Sequence, residues 1–104
     1  MSLDFSIEEI QPTSVFNDNY THNVTPMWNL AGVYEALYES EDKKTLEIVQ
    51  TLKNGLTNML LHPDDFKKLN PENGWGDYDT AVNFLRDVIH ACEKHPNGTI
   101  RISK

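Results

Sequence analysis

The side chains best suited to hold a ligand lie in two short segments that are rich in polar and aromatic residues. They are Asn19, Tyr20, His22 and Asn23 in the first segment, and Trp75 and Asp77 in the second. Each segment leads into a predicted helix, whose free N–H groups and positive dipole end favour anions. We therefore predict a binding site in which His22 and the asparagines form hydrogen bonds and Trp75 stacks on the ligand.

This hypothesis depends on whether the two segments, residues 16–25 and 70–77, meet in the folded chain. If both helix starts lie at one end, the segments form an uncharged cleft for a small anionic or nucleotide-like molecule. The structural alternative is that His22 and the asparagines satisfy backbone groups in a long irregular connection, while Trp75 plugs the core. Both interpretations stay open at the level of sequence.

A catalytic alternative uses the same two segments. His22 would be the general base of a small hydrolase or transferase, and Asp77 would orient its ring. A hydrogen bond between His22 and Asp77 in an open pocket favours this alternative, whereas a buried His22 bonded to backbone carbonyls contradicts it. Paired acids elsewhere stand at helix starts, where the dipole favours them, so we assign no catalytic residue.

Metal and cofactor sites are not indicated by the sequence. Cys92 and His95 can share a helix face, but His90 points away from Cys92, and one pair of ligands does not make a zinc site. Cys92 also lies on an apolar stripe, which is typical of a buried thiol rather than a nucleophile. Because GxGxxG, Walker and GxSxG motifs are missing from the sequence, we expect no metal and no cofactor.

Charge is distributed very unevenly along the chain. The formal net charge is -7, yet residues 1–42 contain eight acidic side chains and no Lys or Arg. Such a field repels phosphate backbones, and no basic stripe offsets it, so we predict no direct binding to nucleic acid. Two other uses of the acids are a docking surface for a basic partner and an acidic decoy for a nucleic-acid-binding protein.

Length and composition favour a single small domain, residues 1–104, that folds around one core. Cys92 is the single cysteine, so an intramolecular disulfide is excluded, and the opening Met-Ser-Leu-Asp does not resemble a signal peptide. No apolar run approaches the roughly 20 residues that span a bilayer. We therefore expect a cytoplasmic protein without a membrane role.

The two ends of the chain have the alternating pattern of half-buried strands. Residues 3–10 alternate through Leu3, Phe5 and Ile7 before Pro12 ends the pattern, and residues 99–103 alternate in the same way. Two such strands are marginal alone. We expect them to pair and lie against helices, or to be completed by a second protomer, which would give a homo-oligomer.

Between these strands the apolar spacing predicts three long helices and one short one. The long helices cover residues 25 to about 40, about 43–61 and 78 to about 94, and the short one covers 63 to about 69. Pro26 suits the first position of the first helix, and Asp77 suits the N-cap of the last. Gly55 indicates a close approach of another backbone. The prediction is an α+β fold, mostly helical, on a small sheet of the terminal strands.

Several dispersed motifs together resemble a family of small phage and prophage proteins. The motifs are residues 19–24 (Asn-Tyr-Thr-His-Asn-Val), 31–38, 68–78 (with Leu-Asn-Pro-Glu-Asn-Gly-Trp-Gly) and 91–96. The resemblance spans residues 18–103 and implies a biological setting rather than an activity. The family pattern has Ile in place of Tyr20 and Ser or Thr in place of Asp77. We therefore expect a non-enzymatic accessory protein that binds a host protein or a small ligand.

Overall fold

The computed structural model describes residues 2–10 and 13–104 and shows helices packed on a three-stranded antiparallel sheet. Its elements are β1 (Ser2–Ile10), β2 (Thr13–Thr21), a 3-10 turn (His22–Val24), α1 (Thr25–Ala31), α2 (Tyr34–Tyr38), α3 (Thr45–Leu61), α4 (Pro63–Lys67), α5 (Tyr78–Lys94) and β3 (Thr99–Ser103). The predicted α+β class is confirmed. Pro12, predicted to end the first strand, lies outside the described residues.

The two terminal strands pair as predicted, but the sheet has a third strand that the sequence did not indicate. The order is β2-β1-β3, with Phe5 of β1 opposite Asp18 of β2 and Ile102 of β3. The prediction of an irregular connection over residues 16–25 is wrong up to Thr21. Asn and Asp residues are depleted in strands, and only pairing with β1 overrides that preference.

The core lies between this sheet and the helices. Leu3, Phe5 and Ile7 are fully buried on the inner face of β1, and Ile100 is fully buried on β3. The opposing helix α5 presents an apolar stripe at three-four spacing that includes Leu85, and its buried residues join those of the strands in one cluster. Sheet and helices therefore stabilise each other through burial of apolar surface.

The first predicted helix is broken in two. Gly32 follows α1 with φ of 80°, a left-handed conformation that ends the helix, so the continuous helix predicted to about residue 40 is wrong. The corner that results packs on Gly55 of α3, where an added Cβ would lie 3.1 Å from the Ala31 carbonyl oxygen and 2.2 Å from Val33 Cγ1. Gly55 therefore permits the close approach that its position in a helix suggested.

The remaining helices agree with the apolar periodicity to within a few residues. Asp77 caps α5, since its carboxylate accepts a hydrogen bond from the Thr80 amide at 2.8 Å. Cys92 lies buried on this helix, and burial raises the pKa of its thiol to about 12. In the part of the chain that the structure describes, no helix is both long enough and apolar enough to cross a membrane.

The two outer strands of the sheet, β3 and β2, differ in whether other segments of the chain form hydrogen bonds with their outer edges. Along β3, the Ile100 amide donates to the Lys43 carbonyl at 2.8 Å, and the Asp42 amide donates to the Ile100 carbonyl at 2.9 Å. The Ile102 amide donates to a Glu41 carboxylate oxygen at 2.6 Å. Within residues 2–10 and 13–104, in contrast, β2 has β1 as its one neighbour in the sheet. The β3 edge is therefore covered, and the β2 edge is open.

Candidate functional site

The end of β2 and the loop before α5 meet at a cavity of about 630 Å³. We call it the Trp75 cleft, and it is lined by Ser2, Asn19, Tyr20, Thr21, Asn23, Trp75, Gly76 and Thr80. The structure thus brings together four of the six residues selected from the sequence. His22 and Asp77 are not among the lining residues.

Tyr20 holds the two walls of the cleft together. Its ring stacks on Phe84 of α5 with centroids 5.2 Å apart and tilts against Trp28 at 6.1 Å. Its hydroxyl lies 2.6 Å from Thr80 Oγ1 and accepts a hydrogen bond from the Asp77 amide at 3.2 Å. Because one face of the ring is packed and the hydroxyl is engaged, Tyr20 positions the site as well as lining it.

Trp75 is the most unusual member of the cleft. Its side chain is 68% exposed, whereas Trp28, the other tryptophan, is fully buried. The interpretation that Trp75 plugs the core is therefore wrong. The Trp75 amide donates to Asn73 Oδ1 at 3.0 Å, which orders the turn that presents the indole. Exposed aromatic side chains at a concave surface are typical of binding sites.

Gly76 allows the loop to lie directly against β2. It adopts φ of 90°, and an added Cβ would lie 2.7 Å from Thr21 Cγ2 and 3.0 Å from Val24 Cγ1. Gly74 also has a positive φ, of 77°, but open space surrounds its Cβ position. The Gly-Trp-Gly sequence is therefore a turn whose second glycine is required for close packing, and this signal was visible in the sequence.

The two asparagines of the cleft differ in how far they are engaged. Asn19 Nδ2 donates to Ser2 Oγ and to Asp4 Oδ1, both at 2.8 Å, so its amide ties β2 to β1. The Asn23 backbone amide donates to Thr21 Oγ1 at 3.2 Å, and the Asn23 side chain is exposed. Asn23 is therefore the asparagine that is better placed to contact a ligand.

His22 points to a different partner from the one that the catalytic alternative requires. Its Nδ1 lies 2.8 Å from the Tyr38 hydroxyl, and the two rings are 5.4 Å apart. Burial first and the neighbouring Tyr34 second raise the pKa of Tyr38 to about 12, so the Tyr38 hydroxyl stays protonated at neutral pH. Among the described residues no hydrogen bond joins His22 to Asp77.

Asp77 is committed to its capping role. Its Oδ1 accepts from the Thr80 amide at 2.8 Å and from Thr80 Oγ1 at 2.9 Å, and these bonds hold the pKa of Asp77 below its ordinary value. A carboxylate thus already occupies the N-terminus of α5. A second anion at that position would meet repulsion rather than free N–H groups.

Two cavities outside the predicted site have helices in their walls. The larger, about 710 Å³, is lined by residues between Asn29 and Thr51, including Glu35, Glu39 and Glu47, and no sequence motif predicted it. The smaller, about 260 Å³, lies between residues 15–18 of β2 and α5. Sequence reasoning missed the smaller cavity because it did not predict β2.

Metal binding has no support among the residues that the structure describes. Across residues 2–10 and 13–104, no three His, Cys, Asp or Glu side chains are grouped so that they could hold a metal ion. The residues that line the Trp75 cleft are all uncharged. The cleft can therefore offer hydrogen bonds, an indole surface and shape, but not ion pairing.

Comparison of the chain with protein-family models, with curated proteins and with solved structures finds no match. A function for this chain must therefore be argued from the site itself.

Proposed function

We propose that this chain is a non-enzymatic binding module that holds a partner protein at the Trp75 cleft. The resemblance of its motifs to phage and prophage proteins suggests an accessory protein that acts on a host protein, and this setting has the sequence resemblance as its sole support. The binding role is supported independently by the geometry of the cleft.

The exposure of Trp75 carries the proposal. Burying an indole contributes more binding free energy than burying most side chains, and tryptophan is enriched among the residues that dominate protein interfaces. The glycines on either side and the bond to Asn73 hold this indole out at 68% exposure beside a cavity. A partner side chain that enters the cleft would cover the indole and release water from both surfaces.

The surroundings of the cleft favour a protein partner over the small anionic ligand. Among the described residues no Lys or Arg lines the cleft, Asp77 caps the adjacent helix, and the chain carries a net charge of -7. Each of these features raises the free energy of a bound phosphate or carboxylate. An uncharged or basic protein segment meets no such repulsion.

The other two alternatives have weaker support in the geometry. The hydrolase alternative needs His22 oriented by Asp77, but His22 bonds to Tyr38 and Asp77 bonds to Thr80. The decoy alternative needs the acids of residues 1–42 on one face. Three of those acids instead contact the guanidinium of Arg101 at the β3 edge: Glu8, Glu41 and Asp42.

The proposal is tested by capture of proteins from a bacterial extract on immobilised wild type, Trp75→Ala and Leu61→Ala. Leu61 is a matched control because its side chain is 70% exposed on α3 and does not line the cleft. We expect a protein that wild type and Leu61→Ala retain and Trp75→Ala loses. The purified partner should then bind Trp75→Ala at least about tenfold more weakly, the effect of roughly 1.4 kcal/mol.

Two results would contradict this function. Equal retention by all three proteins would show that Trp75 does not contribute to binding. Thermal stabilisation of wild type, but not of Trp75→Ala, by a nucleotide or a small anion would identify the small-ligand alternative instead.

A further inference from the structure

The open edge of β2 presents backbone groups that face away from the sheet. The backbone N–H groups of Ile100 and Ile102 on β3 point away from β1, since they bond to residues 41–43. Successive residues of a strand direct their N–H and C=O groups to opposite sides. The backbone N–H and C=O of Arg101 therefore point to β1, and those of its partner Ser6 point to β3. Asn17 pairs with Ser6 from the other side, so its backbone N–H and C=O point away from the sheet.

The same alternation applies to Asn19, which pairs with Asp4. The backbone groups of Asp4 point to β3, so the backbone N–H and C=O of Asn19 point away from the sheet. The amide of Asn19 is satisfied by Asp18 Oδ1 at 2.8 Å. Over the ranges 2–10 and 13–104, no backbone hydrogen bond reaches the N–H or C=O of Asn17 from outside the β1–β2 ladder. The edge of β2 therefore offers one donor and two acceptors, at Asn17 and Asn19, to another strand.

Two cavities lie end to end along this edge. The Trp75 cleft adjoins residues 19–21 of β2, and the smaller cavity of about 260 Å³ adjoins residues 15–18. Thr80, Asp87 and Lys94 of α5 form part of the opposite wall. Their spacing of seven residues, two helical turns, places them on one face of α5. The edge and this face together form a groove along β2.

The spacing of the two cavities matches an extended chain. Their centres along β2 are between three and four residues apart, or about 12 Å at roughly 3.4 Å per residue. On a strand added beside β2, side chains four residues apart lie on one face about 14 Å apart. An added strand can therefore direct one side chain into the Trp75 cleft and another into the smaller cavity.

The charges around the groove along β2 indicate which kind of segment can bind there. Asp18 and Asp87 line the smaller cavity together with Lys94 and two histidines, His90 and His95, and His95 contacts the Glu9 carboxylate. The Trp75 cleft is uncharged, and the chain has a net charge of -7. A second copy paired through β2 would place two Asp18 carboxylates on neighbouring strands and add its own negative charge, which is unfavourable. A segment with net positive charge meets an attractive field instead.

We propose that β2 accepts an extended, net-basic segment of a partner protein as a fourth strand of the sheet, with one side chain in the Trp75 cleft and another, four residues away, in the smaller cavity. Backbone hydrogen bonds along Asn17 and Asn19 would supply affinity, and the two cavities would supply specificity. This inference rests on the proposed function, since it specifies how a protein partner is held.

The test selects binders to wild type from a display library of random peptides of about nine residues. Enriched peptides are then synthesised with N-methyl groups on either of the two alternating sets of backbone amides. Only one set faces β2 in an added strand, so methylation of that set should weaken binding about ten- to hundredfold, while methylation of the other set leaves it nearly unchanged. The enriched peptides should carry net positive charge.

On the protein side, Asn17→Pro removes an outward N–H that the β1 ladder does not use, and proline is tolerated at such edge positions. Asn17→Ala is the matched control, because it keeps the amide and loses the side chain. We expect Asn17→Pro to lose affinity and Asn17→Ala to keep it, with circular dichroism showing that both variants fold.

The outcomes separate this inference from the proposed function. Peptides that depend on Trp75 but show no alternation in N-methyl sensitivity would overturn strand addition and leave the binding role intact. Failure to enrich any peptide over the Trp75→Ala background, or enrichment of acidic peptides, would also overturn it. A dimer in sedimentation that Asn17→Pro abolishes would show that a second copy occupies the edge instead.

Discussion

The two edges of the same sheet have opposite relations to the rest of the chain. Residues 41–44 return along β3 and bond to Ile100 and Ile102, and Lys44 forms a further bridge to Thr99. At the other edge, the loop before α5 approaches β2 through Gly76 and Trp75 but forms a cleft instead of a ladder. One edge is used within the fold, and the other remains available.

This difference between the edges supports the proposed binding function more directly than the polarity of the residues does. Exposed strand edges promote aggregation, and proteins protect them by covering them or by placing charges near them. Covering the β3 edge shows that this chain can close an edge with its own backbone. Asp18 is the one charged residue in the sequence of β2, and Asp87 and Lys94 face this edge from α5. The edge also lies next to the highly exposed indole of Trp75. An edge of that kind is typical of a recognition surface.

Gly76→Ala should have the largest effect on the open edge, because it disturbs the packing of the loop before α5 against β2. A Cβ at this position combines left-handed strain with contacts of 2.7 Å to Thr21 and 3.0 Å to Val24. We expect a loss of about 3 kcal/mol in the free energy of unfolding, measured by urea denaturation. Gly74→Ala is the control, since it has strain without a contact and should lose only about 1 kcal/mol. Equal losses would show that Gly76 does not pack against β2.

Hydrogen exchange compares the two edges directly. The amide of Asn17 faces outward from β2, whereas the amide of Ile100 donates to Lys43. We expect the Asn17 amide to exchange about a hundredfold faster than that of Ile100, because only the second requires the covering segment to open. Comparable protection of the two amides would mean that the edges do not differ as described.

Tyr20→Phe should lower the stability of the protein at the open edge by a smaller amount than Gly76→Ala does. The substitution keeps the stacked ring and removes the hydroxyl that contacts Thr80 and the Asp77 amide. We expect a loss of about 1 kcal/mol together with a shift in the fluorescence emission of Trp75. Tyr78→Phe removes a hydroxyl that donates to Met59 at the α3 interface. This control should lower stability without shifting the emission, and an equal shift in both variants would contradict the role of Tyr20.

The smallest expected effect is the pH dependence of the Asp77 cap beside the open edge. Bonds from Thr80 hold the pKa of Asp77 below its ordinary value of about 3.9, so the cap stabilises fully above that pH and is lost as the pH falls through the folded-state pKa. Asp77→Ala should cost about 1 kcal/mol at pH 7 and progressively less as the pH falls through the folded-state pKa of Asp77. An Asn side chain can cap the helix without titrating, so the stability of Asp77→Asn should depend less on acid than that of wild type. An identical dependence in both proteins would show that the Asp77 cap does not cause it.

Much of the fold could be predicted because its signals are local. The alternation at Leu3, Phe5 and Ile7 indicated β1, and three-four spacing indicated the helices that became α3 and α5. The break at Gly32 was missed because an apolar stripe continues across it. β2 was missed because Asn17-Asp18-Asn19 has low strand propensity, although β1, the strand with which it pairs, ends only three residues before β2 begins.

The candidate site was predictable in its residues but not in their arrangement. Asn19, Tyr20, Asn23 and Trp75 meet at one cleft, as the ligand hypothesis required, whereas His22 turns to Tyr38 and Asp77 to its own helix. Residue type indicates which groups can form hydrogen bonds or stack. It does not indicate which partner each group finds, because those partners are up to 60 residues apart in the chain.

The sequence by itself determined the α+β class, the two terminal strands, the cap at Asp77 and the concentration of negative charge in residues 1–42, since each follows from local periodicity, capping chemistry or composition. Only the tertiary structure decided that β2 is a strand, that Trp75 is exposed while Trp28 is buried, and that one sheet edge is covered while the other is open. Trp75 exposure and the covering of one edge depend on hydrogen bonds and packing between segments distant in sequence, which the local pattern of residues does not encode. β2 forms because pairing with the preceding strand, β1, overrides the low strand propensity of its own residues.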